Sequence, residues 1–423
     1  MKIRAIRLFV LGIISMTLFN SCNSNEIEEL QNKISSLEST VSALEERIQL
    51  LETDVAELKE LIDKVNKLEQ SLQSLGNLVT THTQELNEFR DRIDSLEQAM
   101  VNTNVDIGDL EAQLAKIKDD LSLFLEQNKI YTGDFKIQSD SDIQKLQWFE
   151  QGKFEIIMGD LYISETSLVN IDELSTLKGV GGMVSIYKNQ KLLNLDGLTN
   201  LSEIVKSFDI SQNNSLVSLS GLSNLKYVGR RFFISLNNSI ESLSGLDNLE
   251  SVVEDLSINS NQSLRNISSL GSLNSISGIS IGYNPSLKNL VGLEKVTKLN
   301  GSLFIYNNDS LESLDGLNNL AEVRGYMEIS GNKLLNNISG LESLSKVEDN
   351  FYISSNEVLE SLDGLENLTE ISGWNFQVSN NRFLKSLCGI RNFLQLSTST
   401  NFTCINNGYN PTRQDIINGS CRL

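Results

Sequence analysis

Ser302 to Gly325 reads SLFIYNNDSLESLDGLNNLAEVRG. Leu303 and Ile305 alternate with Phe304 and Tyr306. That period of two sets a short strand with two side chains turned inward and two outward. Beyond the strand, Leu311, Leu314, Leu317, Leu320 and Val323 follow at every third residue. One such segment has too many apolar side chains to bury alone. Copies stacked on one another bury them as a continuous column.

Copies are present. Aligned on the glycine of the L-x-G-L segments, Gly197, Gly221, Gly245, Ser269 (in place of glycine), Gly292, Gly316, Gly340, Gly364 and Gly389 fall at steps of 24, 24, 24, 23, 24, 24, 24 and 25. Glu173 fills the same column one turn earlier. A second column holds Asn189, Asn213, Asn237, Asn261, Asn284, Asn308, Asn332, Asn356 and Asn380. An asparagine directly after each strand sits inside, where its amide can bond backbone groups of the adjoining turns. This ladder reads as structural first, with ligand binding a distant second. A fixed period near 24 residues identifies a solenoid.

The outward strand positions flank the inward isoleucines. Tyr187, Phe233, Phe304, Tyr306 and Tyr352 occupy them. Stacked turns lie about 4.8 Å apart, so these aromatics share one sheet face and form a candidate site for a protein or glycan ligand. Isolated surface aromatics are the plainer alternative. Catalysis has little material. The chain has one histidine, His82, and lacks a P-loop, a GxSxG segment and metal-spaced Cys/His clusters. The D-G pairs at Asp196, Asp315 and Asp363 read as turn formers. A non-enzyme without cofactor or metal is expected. With 35 basic against 55 acidic residues the net charge is −20, which argues against nucleic acid as a partner.

Residues 26–128 carry a different period. Ile27, Ile34, Val41, Ile48, Val55 and Ile62 fall at heptad position a, with Leu30, Leu37, Leu44, Leu51 and Leu58 at d. This spacing predicts a parallel coiled coil. The three-residue step from Ile62 to Val65 is a stammer, and a second register runs on to Phe124 with His82 and Thr103 at d. His82 is either a tolerated polar core position or part of a histidine ring able to bind metal or sense pH. The flanking pairs Lys33–Glu38, Arg47–Glu52, Asp54–Lys59, Lys64–Glu69, Glu85–Arg90 and Arg92–Glu97 are opposite in sign, and Asp106–Glu111 is alike. The first half favours a dimer and the second mixes residue types, so dimer and trimer both stay open. One helix of this length would extend about 150 Å.

At the N-terminus, Lys2, Arg4 and Arg7 precede an apolar run from Leu8 to Phe19, which is too short to span a bilayer and ends in Leu18-Phe19-Asn20-Ser21-Cys22. This resembles a bacterial lipoprotein signal, with residues 1–21 removed and Cys22 lipidated. Residues 22–25 then form the anchor region, and the acidic stretch Asn23 to Glu29 resembles the surface-export signals of Bacteroidota lipoproteins.

The repeats resemble leucine-rich repeats and, more closely, the receptor L-domain family. Gly159-Asp160-Leu161-Tyr162-Ile163 and Gly316-Leu317-Asn318-Asn319-Leu320 carry the likeness. The resemblance implies a β-solenoid of about ten turns of 24 residues, and with the heptads before it the expected fold class is mixed: a long α-helical coiled-coil stalk followed by that solenoid. Residues 129–141 read as a linker. Residues 142–396 form the solenoid, opened by a cap helix over Asp142 to Glu150 whose Ile143, Leu146 and Phe149 cover the first turn. Residues 397–423 form a C-terminal cap, with a turn at Tyr409 to Thr412 and a short helix at Gln414 to Asn418. Similar bacterial L-domain proteins pair the cysteine of the last L-C-G unit with the terminal one. That implies a Cys388–Cys421 disulfide, with Cys404–Cys421 as the other pairing. The functional expectation is an outer-membrane, lipid-anchored protein that displays an adhesion or binding head at the cell surface. A periplasmic envelope spacer and a glycan-holding accessory of nutrient uptake are its alternatives.

Overall fold

Within each turn the chain obeys the same short-range rules. A four-residue strand such as Leu303–Tyr306 alternates buried and half-buried side chains. The next residue turns left-handed, as at Lys188, Gln212, Leu236, Tyr283 and Asn307. A buried asparagine follows, and leucines every third residue carry the chain round. The L-x-G-L corner of many turns winds as one 3-10 turn, for example Asp196–Leu198 and Ser220–Leu222. Glycine is required there because turns approach closely: a Cβ on Gly221 would lie 1.7 Å from the Leu195 carbonyl oxygen. At Gly316 the backbone also takes φ +111°, a conformation closed to most side chains.

The computed structural model describes residues 91–92, 94–97, 107–397 and 400–423. The chain divides into two units, Met1–Ile117 and Lys118–Leu423. In the second unit, parallel pairing stacks the turns in two lanes. The broad lane runs from Phe135–Ile137 through Leu161–Ser164 to Asn375–Ser379 and Asn401–Ile405. A narrow lane of two-residue strands runs beside it from Ile130–Tyr131. Ser251–Asn259 and Ser275–Gly282 cross both lanes, which merges them into one 17-stranded sheet. After them the narrow lane resumes as a separate 4-stranded sheet, Lys298–Leu299 to Glu370–Ile371. The merger falls where the repeat step shortens to 23.

Between the lanes and the corners lies one apolar column. Ile163, Ile186, Ile210, Ile234, Ile258, Ile281, Ile305, Ile329 and Ile353 are all fully buried in register. Phenylalanines stack where they face each other in register on neighbouring strands: Phe208 and Phe232 are 4.8 Å apart, and Phe351 and Phe376 are 5.2 Å apart.

The expected long coiled-coil stalk is corrected by the helices observed. Among the described residues the longest helix is Ile107–Gln127, 21 residues, and the others are short: Gln144–Gly152, Arg391–Leu396 and Arg413–Ile417. Heptad spacing reports which side of a helix is apolar, not how far one helix continues. Helix Ile107–Gln127 ends beside the expected boundary at 128, where the Asn128 side-chain amide donates to the Phe124 carbonyl and Lys129 turns left-handed at φ 54°. The heptads before residue 91, with His82, lie outside the described residues, as do Cys22 and the segment before it.

Residues 129–141, read as a linker, are corrected too. They hold the first strands of both lanes, Ile130–Tyr131 and Phe135–Ile137. Phe135 and Ile137 alternate around Lys136, but a three-residue strand is too short a signal to stand out in sequence. Helix Gln144–Gly152 buries Leu146 and Phe149 completely and packs on the turn at Asp172–Leu174. Glu173 can stand in the glycine column there because, on the side where a later corner meets the one before it, it meets this helix instead.

The solenoid also runs past residue 396, since Asn401–Ile405 adds one more strand. Cys388 and Cys421 are bonded, S–S 2.05 Å, and Cys404 is free. The Cys421 carbonyl accepts from Leu387 N at 2.7 Å, so the tail closes the last corner. Thr412 and Asp415 form a reciprocal capping box that starts helix Arg413–Ile417.

Candidate functional site

The asparagine ladder is a chain of amides with every partner filled. Asn308 donates through Nδ2 to Ile281 O at 2.9 Å and to Asn332 Oδ1 at 3.3 Å. Its own Oδ1 accepts from Asn284 N and Nδ2 at 3.1 and 3.2 Å. The pattern repeats from Asn189 through Asn213, Asn237, Asn261, Asn284 and Asn332 to Asn356, all fully buried. It begins at Thr166, whose hydroxyl donates to Asn189 Oδ1, and ends at Asn407, whose N–H is met by Asn410.

One rung is corrected. Asn380 is exposed with φ 59°, and Asn381 holds the ladder position instead. The turn is one residue longer, so a strict step of 24 lands on the left-handed residue. A second amide column runs through the stack, outside the strand-then-asparagine pattern. Asn200, Asn224, Asn248, Asn319 and Asn367 each donate to a carbonyl of the preceding turn. Its signal was the same 24-residue spacing.

The outward aromatics separate into one cluster and two outliers. Register sets Phe304 opposite Glu328, and Glu328 opposite Tyr352. Tyr326, at the entry to its strand, bridges them. Its ring is nearly parallel to Phe304 (23°, 6.4 Å) and to Tyr352 (10°, 5.3 Å). The Tyr326 and Tyr352 hydroxyls are 3.1 Å apart, which raises the Tyr326 pKa above the ordinary phenol value. Tyr306 lies on the backbone of Gly282, where a Cβ would fall 2.3 Å from its ring. It meets Tyr283 edge-on at 5.3 Å and donates to Asn259 Oδ1 at 3.2 Å. Tyr283 is 52% exposed.

Phe304 and Tyr352 are thus joined through Tyr326, while Tyr306, two residues along the Phe304 strand, pairs with Tyr283. Tyr326 and Tyr283 join them from positions just before and just after a strand, which an outward-alternation rule does not reach. Phe233 lies three turns before Phe304, about 14 Å along the stack. Tyr187 lies five turns before Tyr306, about 24 Å. Tyr187 is engaged locally, under the Lys188 ammonium at 4.9 Å and with Gln212 at 3.3 Å.

Electrostatics on this face are sparse. From Ser185 to Ser379, the two outward columns carry only Asp209 and Glu328 as charges. Burial beside Phe233 pushes the Asp209 carboxyl up, partly offset by Ser211. Glu328 accepts from the Ser330 hydroxyl at 2.6 Å. Among the described residues, no three His, Cys, Asp or Glu side chains converge as metal ligands. Other exposed apolar side chains include Leu236 and Ile405 in the columns of Tyr283 and Tyr306, the corner run Val169, Leu193 and Val217, and Trp374, which is 85% exposed. No family model matches the chain, and no curated relative matches it.

Proposed function

We propose that this chain is a non-catalytic recognition protein, a lipid-anchored surface lipoprotein whose parallel sheet face captures an external ligand. One observation carries the reading. Five aromatic rings, Tyr283, Phe304, Tyr306, Tyr326 and Tyr352, gather on neighbouring turns of an otherwise Ser- and Asn-rich face. Rigid aromatic area surrounded by small hydroxyl and amide side chains is the composition of a binding surface with low ordering cost. The receptor L-domain likeness of the repeats and the lipoprotein-like Leu18 to Cys22 segment support the same reading from sequence.

The test has two parts. The full chain is presented to surfaces coated with matrix proteins, mucins and polysaccharides, beside a Phe304→Ala/Tyr352→Ala variant. Retention by at least one surface, lost in the variant at unchanged circular dichroism, is the expected result. Equal retention of both proteins would sink the face. Protease added to intact cells should digest the solenoid, and Cys22→Ser should release the chain from membranes. Protection of the solenoid until lysis would place it inside the envelope.

A further inference from the structure

Resting on that reading, we infer that the ligand of this face is an uncharged glycan chain, laid along the solenoid axis across Phe304, Tyr326 and Tyr352. Charge narrows the ligand first. The chain carries −20 overall, yet the outward columns hold only two carboxylates and no cation from Ser185 to Ser379. A polyanion, whether nucleic acid, sulfated glycan or phosphate headgroup, needs cations to bind. A polycation would find Glu328 within the cluster and Asp349 at its border, too few carboxylates to match a run of cations. A neutral ligand fits both facts.

Geometry narrows it further. Phe304, Tyr326 and Tyr352 stand on successive turns with near-parallel rings, so they form a ledge about 10 Å long. That length accepts more than one pyranose ring. The stacked rings cover one another's inner faces, so the faces left for the C–H side of a pyranose are the outer ones of Phe304 and Tyr352, flanked in register by Ser280 and Gln377; the rim of sugar hydroxyls needs partners. Partners are in place: Glu328 sits in register between Phe304 and Tyr352 as an acceptor, and the Tyr306 hydroxyl with Asn259 borders the ledge. A protein partner would instead favour a contiguous apolar centre with a polar rim. Here the polar groups lie within the aromatic cluster, and the exposed apolar run Val169, Leu193 and Val217 lies elsewhere.

Affinity electrophoresis of the full chain through gels cast with β-glucan, xyloglucan, galactomannan or α-glucan tests this, with polygalacturonate and heparin as charged controls. At least one neutral polymer should retard the chain. Tyr352→Ala and Glu328→Gln should each weaken that retardation about tenfold, Tyr352→Phe should change it little, and Tyr187→Ala should not change it. Melting curves identify any variant that fails to fold, and Glu328→Gln removes only the charge. Four results overturn the inference: no retardation by any neutral polymer, retardation only by the anionic ones, retardation that survives Tyr352→Ala, or equal loss in Tyr187→Ala. If a protein-coated surface retains the chain through Phe304 and Tyr352 while no polysaccharide does, the recognition face stands and the glycan assignment falls.

Discussion

At the scale of single residues, Asn380 and Asn381 carry the most informative contrast. Both are asparagines after the same strand, yet one is exposed and left-handed while the other is buried with Nδ2 on Ile353 O at 3.1 Å and Asn407 Oδ1 at 3.0 Å. Asn381→Ala strips a buried network. Each donor or acceptor left unpaired costs about 1–3 kcal/mol, so a loss of about 3 kcal/mol is expected. Asn380→Gly supplies the residue that φ 59° favours and should stay within about 0.5 kcal/mol of wild type. Urea unfolding of both variants checks the pair, and equal losses would mean that the ladder is misplaced by one residue. The ladder itself was legible, because buried polar groups must repeat with the fold that buries them. A one-residue insertion was not, because two adjacent asparagines satisfy a periodic search equally well.

Among elements, the narrow lane of the second half is held by charge. Lys298, Glu322, Lys346 and Glu370 stand opposite one another in register, with Nζ–O distances of 2.6 Å for Lys298–Glu322 and 3.4 Å for Lys346–Glu370. Arg324 adds a contact to Glu322 at 3.0 Å. Burial alone would raise the Glu322 pKa, but Lys298 and Arg324 hold it below the ordinary glutamate value. A depressed carboxylate pKa means that this stability is whole at neutral pH and drains as pH falls through the folded-state value. Glu322→Lys replaces attraction by a run of like charges. It should cost about 1 kcal/mol at low salt, and less at 1 M salt where the Debye length is about 3 Å. A salt-independent loss would show that the lane is held by packing instead. The C-terminal cap is the other testable element. Its disulfide closes 33 residues, so Cys421→Ser should cost about 3–4 kcal/mol by chain entropy. Cys404 is the internal probe. Burial pushes its thiol up to about 11, so at pH 8 it should resist iodoacetamide in the native chain and react only when the last strand opens, faster in Cys421→Ser. Rapid native labelling would mean that the cap is already open.

For the whole molecule, the 24-residue period was enough to read a stacked solenoid, since only repetition can bury Leu311, Leu314, Leu317 and their counterparts together. Helix length was not readable in the same way. Heptads report an apolar seam, and the helix that ends at Gln127 does so through a local cap at Asn128 and Lys129. The 23-residue step was visible too, but its consequence was hidden. It fuses both lanes at Ser275–Gly282 and leaves Lys298–Leu299 paired only with Glu322–Val323 among the described residues. In a one-dimensional stack, stability sums over neighbouring interfaces, so the interface with the fewest bonds is where cooperativity breaks. At this junction the strand pairing is the broad lane alone, Ile279 to Gly282 with Leu303 to Tyr306, beside the ladder bond from Asn284 N to Asn308 Oδ1. Asn308→Ala, which removes the acceptor of Asn284 N and Nδ2 and the donor to Ile281 O, should therefore uncouple the two halves and give two urea transitions, with exchange of residues 303–423 separating from that of 130–282. Asn237→Ala removes the equivalent rung, the acceptor of Asn213 N and Nδ2 and the donor to Ile210 O, where both lanes are continuous, and should lower stability while keeping one transition. Two transitions in both variants would make the breakdown a general property of the ladder, and one in both would mean that the broad lane by itself transmits the stack's cooperativity.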